Sequence, residues 1–365
     1  MTRLHQLHDR FDQSPWLDNL TRGDLTGGRL GRLVARGIRG VTSNPTIIAR
    51  AVRGSTDYDG QLAALAAAGR DAEASYWSLV TSDLHGALTV LRPLYERSGG
   101  GDGFVSVELA PALAHDTEAS VRAARALHRR IDAPNLLVKI PATGEGVPAI
   151  RRATAEGLSI NVTLLFGLDR YAQVVEAYLR GLEAHEGDLS RVHGVASFFV
   201  SRVDTEIDRR LEAIGTPAAR SLRGRAATAQ AKLAYQLFLE AFSGPRWDAL
   251  AARGARPQRP LWASTSTKNP AYPDTVYVDG LIGPGTITTL PEATIAAFED
   301  HGTLASTLTE GVEDARATLA RLAEVGVDLP GVAGVLEDEG VAAFAESYDG
   351  LLALLQARTA EAHAA

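Results

Sequence analysis

Eight short runs rich in β-branched and aromatic residues alternate with longer helix-like patterns along most of the chain, and this alternation constrains the fold more than any other feature. The runs are "PWLDN" (15–19), "GVTSN" (40–44), "GFVSVEL" (103–109), "NLLVKIP" (135–141), "LSINVTLLF" (158–166), "GVASFFVS" (194–201), "PLWAST" (260–265) and "DTVYVDGL" (274–281). Amphipathic stretches fill the gaps, among them "DTEASVRAARALHRRI" (116–131), where Asp116 stands as an N-cap, and "GLDRYAQVVEAYLRGLEAH" (167–185). Strands joined through helices pair in parallel, need both faces covered and cross over right-handedly. Eight such units predict a closed (β/α)8 TIM barrel. An open doubly wound sheet would be expected to carry a glycine-rich phosphate loop after an early strand. "SGGGDG" (98–103) precedes a strand instead and reads as a flexible loop. The remaining chain is helical and no linker or repeat interrupts it. A single barrel domain over 1–365 is therefore expected, with extra helices over about 291–365 wrapping it.

Side chains alternate along a strand, so each run divides into two faces. In 135–141, Leu136, Val138 and Ile140 oppose Leu137 and Lys139; in 159–165, Ile160, Val162 and Leu164 oppose Ser159, Asn161 and Thr163. Ser106 and Glu108 share a face opposite Val105, Val107 and Leu109. The apolar face suits the helices, which leaves the polar one for the barrel interior. Glu108, Lys139, Asn161 and Thr163 fall near the C-terminal ends of their strands, where barrel enzymes place their chemistry, and Asp18 and Asn44 hold comparable positions on the first two. Buried polar groups without partners cost about 1–3 kcal/mol each, so six of them are more than stability asks for.

Each residue also has a purely structural reading. Asn44 before Pro45 suits an N-cap with proline at the first helical position. Asp18 suits a cap, Glu108 and Lys139 suit a cross-strand ion pair, and Arg202 alone suits the surface. Lysine is scarce: only Lys139, Lys232 and Lys268 stand among 37 basic residues. Lys232 lies on an amphipathic pattern and suits a solvated face. A lysine inside an apolar strand is different, since burial lowers a lysine pKa by up to roughly 3–5 units and a neutral amine is a nucleophile.

Composition narrows the remaining classes. The absence of cysteine excludes disulfides and thiolate chemistry, and the net charge of -7 argues against general nucleic-acid binding. The opening "MTRLHQLHDRFDQSPW" lacks the apolar core of a signal peptide, and no run approaches the roughly 18 apolar residues of a membrane span. A cytoplasmic protein is expected, a monomer or homodimer with no membrane partner. The nine histidines show no paired ligand spacing, so neither metal nor cofactor is expected.

"GVTSNPTI" (40–47), "LLVKIPAT" (136–143), "SINVTLLFGLDRY" (159–171) and "VASFFVSRVD" (195–204) resemble the transaldolase family, Schiff-base aldolases of the pentose phosphate pathway. The likeness spans nearly the whole chain, with the motifs in family order on successive strands. "WASTSTKNPAYPD" (262–274) resembles the actinobacterial branch. The resemblance implies sugar-phosphate substrates and assigns Lys139 to the Schiff base. It assigns Asp18 to the substrate C4 hydroxyl, and Glu108 with Thr163 to the catalytic water. Asn44 and Asn161 match residues that bind the dihydroxyacetone hydroxyls, Ser197 and Phe199 line the pocket, and Arg202 matches the phosphate-binding arginine. Many relatives carry an arginine shortly after the serine of the seventh strand. Here "ASTSTKN" offers Ser264 and then Lys268, and lysine binds phosphate as a point charge rather than a fork.

The mechanism so implied needs an amine that Glu108 does not hold permanently charged, which predicts a water between Glu108 and Lys139. Two rivals remain. A fructose 6-phosphate aldolase of similar architecture would release free dihydroxyacetone, but such enzymes tend to carry glutamine where Glu108 stands and tyrosine where Phe199 stands. A catalytically inactive sugar-phosphate-binding barrel would bind without forming a covalent adduct.

Overall fold

The computed structural model describes the backbone of residues 1–364 and the side chains of residues 1–358. Eight parallel strands close into a barrel in sequential order: β1 (Gln13–Asp18), β2 (Gly40–Thr42), β3 (Phe104–Glu108), β4 (Leu136–Pro141), β5 (Ile160–Leu165), β6 (Gly194–Phe199), β7 (Arg259–Ala263) and β8 (Thr286–Leu290). β1 pairs with both β2 and β8, which completes the ring.

Seven strands lie where the sequence places them; the eighth does not. "DTVYVDGL" is not a strand: Val276–Asp279 forms one helical turn, closed by the Val278 and Asp279 amides donating to the Thr275 carbonyl. Tyr277 points inward and donates its hydroxyl to Asp204 at 2.8 Å. The barrel closes instead through "TITTL" (286–290), whose β-branched side chains suit a pleated sheet. All three of its threonines are buried; Thr286 Oγ1 donates to the Gly283 carbonyl at 2.6 Å and Thr289 Oγ1 to the Trp262 carbonyl at 3.3 Å, while the Thr288 hydroxyl has no partner among the described residues.

The core lies between the strands and the surrounding helices. Val105, Val107, Val138, Ile140 and Val162 are all at most 1% exposed and alternate with the polar residues of the lumen. Helices cap as their sequences suggest: Asp116 accepts from the Ala119 amide at the head of Thr117–Ile131. The final helix, Leu329–Ala364, runs back across helices Pro45–Arg53, Asp59–Ala67 and Ala72–Arg97 and touches the end of β5. There Leu164 takes a left-handed φ of 56° at a register shift between Val162 and Leu165. Gly340 lets the final helix settle on that bulge, since an added Cβ would lie 2.8 Å from Leu164 Cδ2. Among the described residues no helix is long and apolar enough to cross a membrane.

Gly40 starts β2 directly beside Trp16 of β1, and a Cβ at Gly40 would overlap the indole. Trp16 is fully buried and has no room to retreat. Gly40→Ala should therefore lower stability by about 1–3 kcal/mol, the usual cost of overpacking. Urea unfolding of the whole chain measures this, and an unchanged midpoint would contradict the packing described.

Candidate active site

The register of three neighbouring strands sets the centre of the site. Glu108 on β3 pairs with Lys139 on β4, which pairs with Asn161 on β5, so three polar side chains stand at one level. Their contacts cross the lumen. Lys139 Nζ donates to the Ser43 carbonyl beyond β2 at 3.3 Å, skipping β3, and Asn161 Nδ2 donates to Ser106 Oγ of β3 at 3.0 Å, skipping β4. Bonds between non-adjacent strands require that these side chains point inward. Ser197 on β6 extends the chain of contacts, its hydroxyl donating to Asn161 Oδ1 at 2.7 Å.

Lys139 and Glu108 are both buried, with Nζ 3.3 Å from Oε1. This direct approach corrects the expectation of an intervening water. The strand register brings the two Cα positions side by side, and the side chains converge without room being made between them. The distance suits charge pairing, yet neither carboxylate oxygen of Glu108 completes an aligned hydrogen bond among the described residues. Burial pushes the Glu108 carboxyl above its ordinary range, and the neighbouring Lys139 opposes that rise without overcoming it. Two full charges in a dry site are expensive to desolvate, so the contact adds little to stability despite its short distance.

Thr163 is fully buried two residues beyond Asn161, beside Pro141, and its hydroxyl also lacks a partner among the described residues. Asp18 ends β1 at the rim, partly open to solvent. Desolvation raises its pKa as well, against the pull of Lys139, Lys268 and Arg202. A cavity of about 540 Å³ opens beside Asp18, walled by Ile47, Arg50 and Pro291. Its walls do not include Lys139, Glu108 or Asn161, so it meets the site only at Asp18.

Asn44 lies two residues past β2 and plays the structural part its sequence suggests. Its Oδ1 accepts from the Ile47 amide at 2.9 Å and caps Pro45–Arg53, while its amide hydrogens remain to meet a ligand. Phe199, at the end of β6, is buried against Phe166 with ring centroids 5.2 Å apart. The Arg202 guanidinium lies 5.5 Å from the Phe199 ring centroid. Burial lowers the Arg202 pKa, while Glu108, Glu339 and Asp18 oppose that effect.

Ser264 follows β7 with a left-handed φ of 57°, bonded through its hydroxyl to Ser201 Oγ at 2.9 Å. Lys268 is exposed and donates to Ser266 Oγ at 2.7 Å. Its pKa is lowered by desolvation and by Arg202 and raised by Asp18, so it lies within electrostatic reach of both. Lys232, by contrast, lies far from this group and donates to the Glu310 carbonyl.

Three participants escape a reading of sequence alone: the Ser43 carbonyl, Ser106 and Ser201. A carbonyl has no residue-type signal. Ser106 had one, since it shares the face of Glu108 two residues earlier. Ser201 heads the helix that carries Arg202.

Comparison with known proteins gives a consistent result. A family model for transaldolase/fructose-6-phosphate aldolase matches residues 15–355. A protein named Transaldolase from Parafrankia sp. (strain EAN1pec) is 53% identical over 342 residues, covering 92% of this chain and 93% of the relative. A Transaldolase from Thermobifida fusca (strain YX) is 51% identical, with 96% of each chain covered. A third, from Thiobacillus denitrificans (strain ATCC 25259 / T1), is 51% identical across 94% of this chain and 97% of its own.

A carboxylate whose folded pKa is raised adds stability in acid and loses it as pH rises through that pKa. Asp18→Asn removes the burden of charging this group. The variant should therefore gain stability over the parent at pH 7 and lose that advantage near pH 3.5, where both forms are uncharged at this position. Denaturant midpoints at the two pH values test the direction. A gain confined to the acid side would contradict the desolvation of Asp18.

Proposed function

The chain belongs to the transaldolase/fructose-6-phosphate aldolase family, and from that premise we propose that Lys139 carries a three-carbon ketose fragment between sugar phosphates as a Schiff base. The observation that supports this most is the pairing of a buried primary amine with a buried, pKa-raised carboxyl inside the barrel. An amine kept charged by a committed salt bridge would be inert. Glu108 makes no aligned hydrogen bond to Lys139 among the described residues, so the amine is not locked to it and can attack a bound ketone.

Lys139 Nζ adds to the C2 ketone of fructose 6-phosphate, and loss of water gives an iminium cation. Glu108 supplies the proton that lets the C2 oxygen leave as water. Asp18 then takes the proton of the C4 hydroxyl, the C3–C4 bonding electrons flow into the iminium, and glyceraldehyde 3-phosphate departs. The three-carbon enamine stays on Lys139. Its C3 attacks the aldehyde carbon of erythrose 4-phosphate while Asp18 returns the proton to the new hydroxyl. Water, directed by Glu108 and Thr163, adds to the iminium and frees sedoheptulose 7-phosphate with the amine restored.

The free acceptor positions on Glu108 and Thr163 suit that water. Asn161, held by Ser106 and Ser197, and the amide hydrogens of Asn44 suit the hydroxyls of the fragment. Arg202 and Lys268 form the positive rim where the phosphate docks. Arg202 is braced by Phe199, while Lys268 has only a serine to hold it. Phosphate orientation therefore rests mainly on the arginine.

The transferase reading and the aldolase rival share the first half of this sequence and part at the enamine. Glu108 and Phe199 stand where aldolases of this family tend to carry glutamine and tyrosine, which favours transfer. Formation of sedoheptulose 7-phosphate from fructose 6-phosphate and erythrose 4-phosphate is the deciding assay. Release of free dihydroxyacetone without transfer would establish the rival, and binding without turnover would establish an inactive barrel. Lys139→Arg should lower kcat by on the order of 10⁴-fold or more, because a guanidinium cannot form the imine; retained activity would sink the assignment. Glu108→Gln should lower kcat by roughly 10²–10⁴-fold, the usual range for a lost acid–base group, with little change in substrate binding. A large loss of affinity with kcat preserved would instead mark Glu108 as a binding residue.

A further inference from the structure

The end of the barrel opposite the lysine holds a second cavity, of about 570 Å³, whose charge is out of keeping with the rest of the chain. Arg39, Arg97, Arg256 and Arg259 line it, against two carboxylates, Asp12 and Asp102. The positions are those just before the strands: Arg39 precedes β2, Asp102 precedes β3, and Arg259 begins β7. In barrels this face ordinarily serves stability. Part of the cluster does so here. Buried Asp102 accepts from Arg39 Nε at 2.6 Å, from Ser14 Oγ at 2.8 Å and from Arg259 Nη1 at 3.3 Å. Arg259 spends its other donors on Ser14 Oγ and on the Gly101, Gly285 and Thr286 carbonyls.

The other guanidiniums are not used up in this way. Arg97 is exposed and forms no hydrogen bond or ion pair among the described residues. Arg256 donates only to the Gly99 carbonyl, at 2.6 Å, and Arg39 engages only through Nε. His193, also on the wall, is kept neutral: burial and Arg256 push its pKa down to about 4. It therefore adds no cation, and its Nε2 lies 3.4 Å from the Tyr95 hydroxyl.

The glycine run 98–103 forms the rim of this cavity. Gly99, Gly100 and Gly103 take left-handed φ values of 57°, 79° and 84°. At Gly103 a Cβ would collide with the backbone of Tyr95, so the turn lies tight against the end of its helix. Its amides are already committed, Gly99 to the Glu96 carbonyl, Gly100 to that of Tyr95, Gly101 to that of Ser98, and Gly103 to that of Arg39. Any anion here must be held by side chains, and planar guanidiniums match phosphate oxygens in pairs.

We propose that this cavity is a binding site for a small phosphate-bearing metabolite, separate from the barrel mouth, with Arg97 and Arg256 as its free cationic contacts and Arg39 as a third. The excess of guanidinium over carboxylate at one end of an acidic protein concentrates positive potential there, which draws multiply charged anions. The volume admits a phosphorylated small molecule.

Inorganic pyrophosphate is the probe, titrated calorimetrically into the full chain carrying Arg202→Ala and Lys268→Ala, which removes the cations of the mouth. One equivalent should bind. Adding Arg97→Ala and Arg256→Ala, which removes two charge-assisted contacts, should weaken that binding by about tenfold to a hundredfold or more. Arg97→Gln alone, at an exposed position with no partner to disturb, should weaken it severalfold with the unfolding midpoint nearly unchanged. Failure of pyrophosphate to bind the Arg202→Ala/Lys268→Ala protein, or binding that ignores the Arg97 and Arg256 substitutions, overturns the proposal.

Discussion

The contact between Lys139 and Glu108 is the constraint on which the rest of the site depends. Parallel pairing of β3 with β4 sets these residues side by side, and the same register sets Asn161 beside Lys139 on β5. A slip of one residue in any of these strands would send its polar group out among the helices and bring an apolar one into the lumen. The helix-facing valines and isoleucines, essentially inaccessible to water, fix that register. The hydrophobic layer outside the sheet therefore holds the polar chemistry inside it in position. Ser106, Asn161 and Ser197 then bond to one another around the lysine, which limits how the amine's neighbours can turn.

The site holds its charges against their own preferences. Burial raises the pKa of Asp18 and Glu108 and lowers those of Arg202 and Lys268, so each group at the mouth is shifted toward its neutral form. Opposite charges nearby moderate every one of these shifts. Such an arrangement is poor for stability and good for proton transfer, because acids and bases whose affinities are drawn together exchange protons easily. The left-handed residues Leu164 and Ser264 sit at the ends of β5 and β7, where the chain turns from the barrel wall into the loops of the mouth. Backbone strain of about 1–3 kcal/mol at such positions is tolerated where packing enforces it, and Gly340 of the final helix provides that packing at Leu164.

Much of this was legible in the residues, and what was not has definite causes. Period-two alternation exposed Glu108, Lys139, Asn161 and Thr163 as one inward set, because the lumen is the only place in a covered barrel for a strand's polar face. The eighth strand was misplaced because "DTVYVDGL" and "TITTL" both carry β-branched residues, and only tertiary packing of Tyr277 onto Asp204 tells them apart. The cap formed by Asn44 was readable from the proline that follows it. The direct approach of Lys139 to Glu108 was not, since sequence gives neighbours in register but not the space between their side chains. The Ser43 carbonyl is invisible to any reading of residue types. The glycine run 98–103 reads as a flexible loop in sequence, whereas its left-handed residues make it a tight wall of the lower cavity.

The two ends of the barrel divide the labour. Strand C-termini gather carboxyls and an amine whose protonation can change, while the opposite end gathers guanidiniums whose charge cannot. The proposed chemistry belongs to the first of these, with the amine of Lys139 as the nucleophile inside the lumen. Incubation with fructose 6-phosphate, reduction with borohydride and peptide mass mapping test it most directly. The account predicts a reduced three-carbon adduct on the peptide that contains Lys139 and on no other lysine. An adduct on Lys232 or Lys268 with Lys139 unmodified, or no adduct under conditions of turnover, would contradict it.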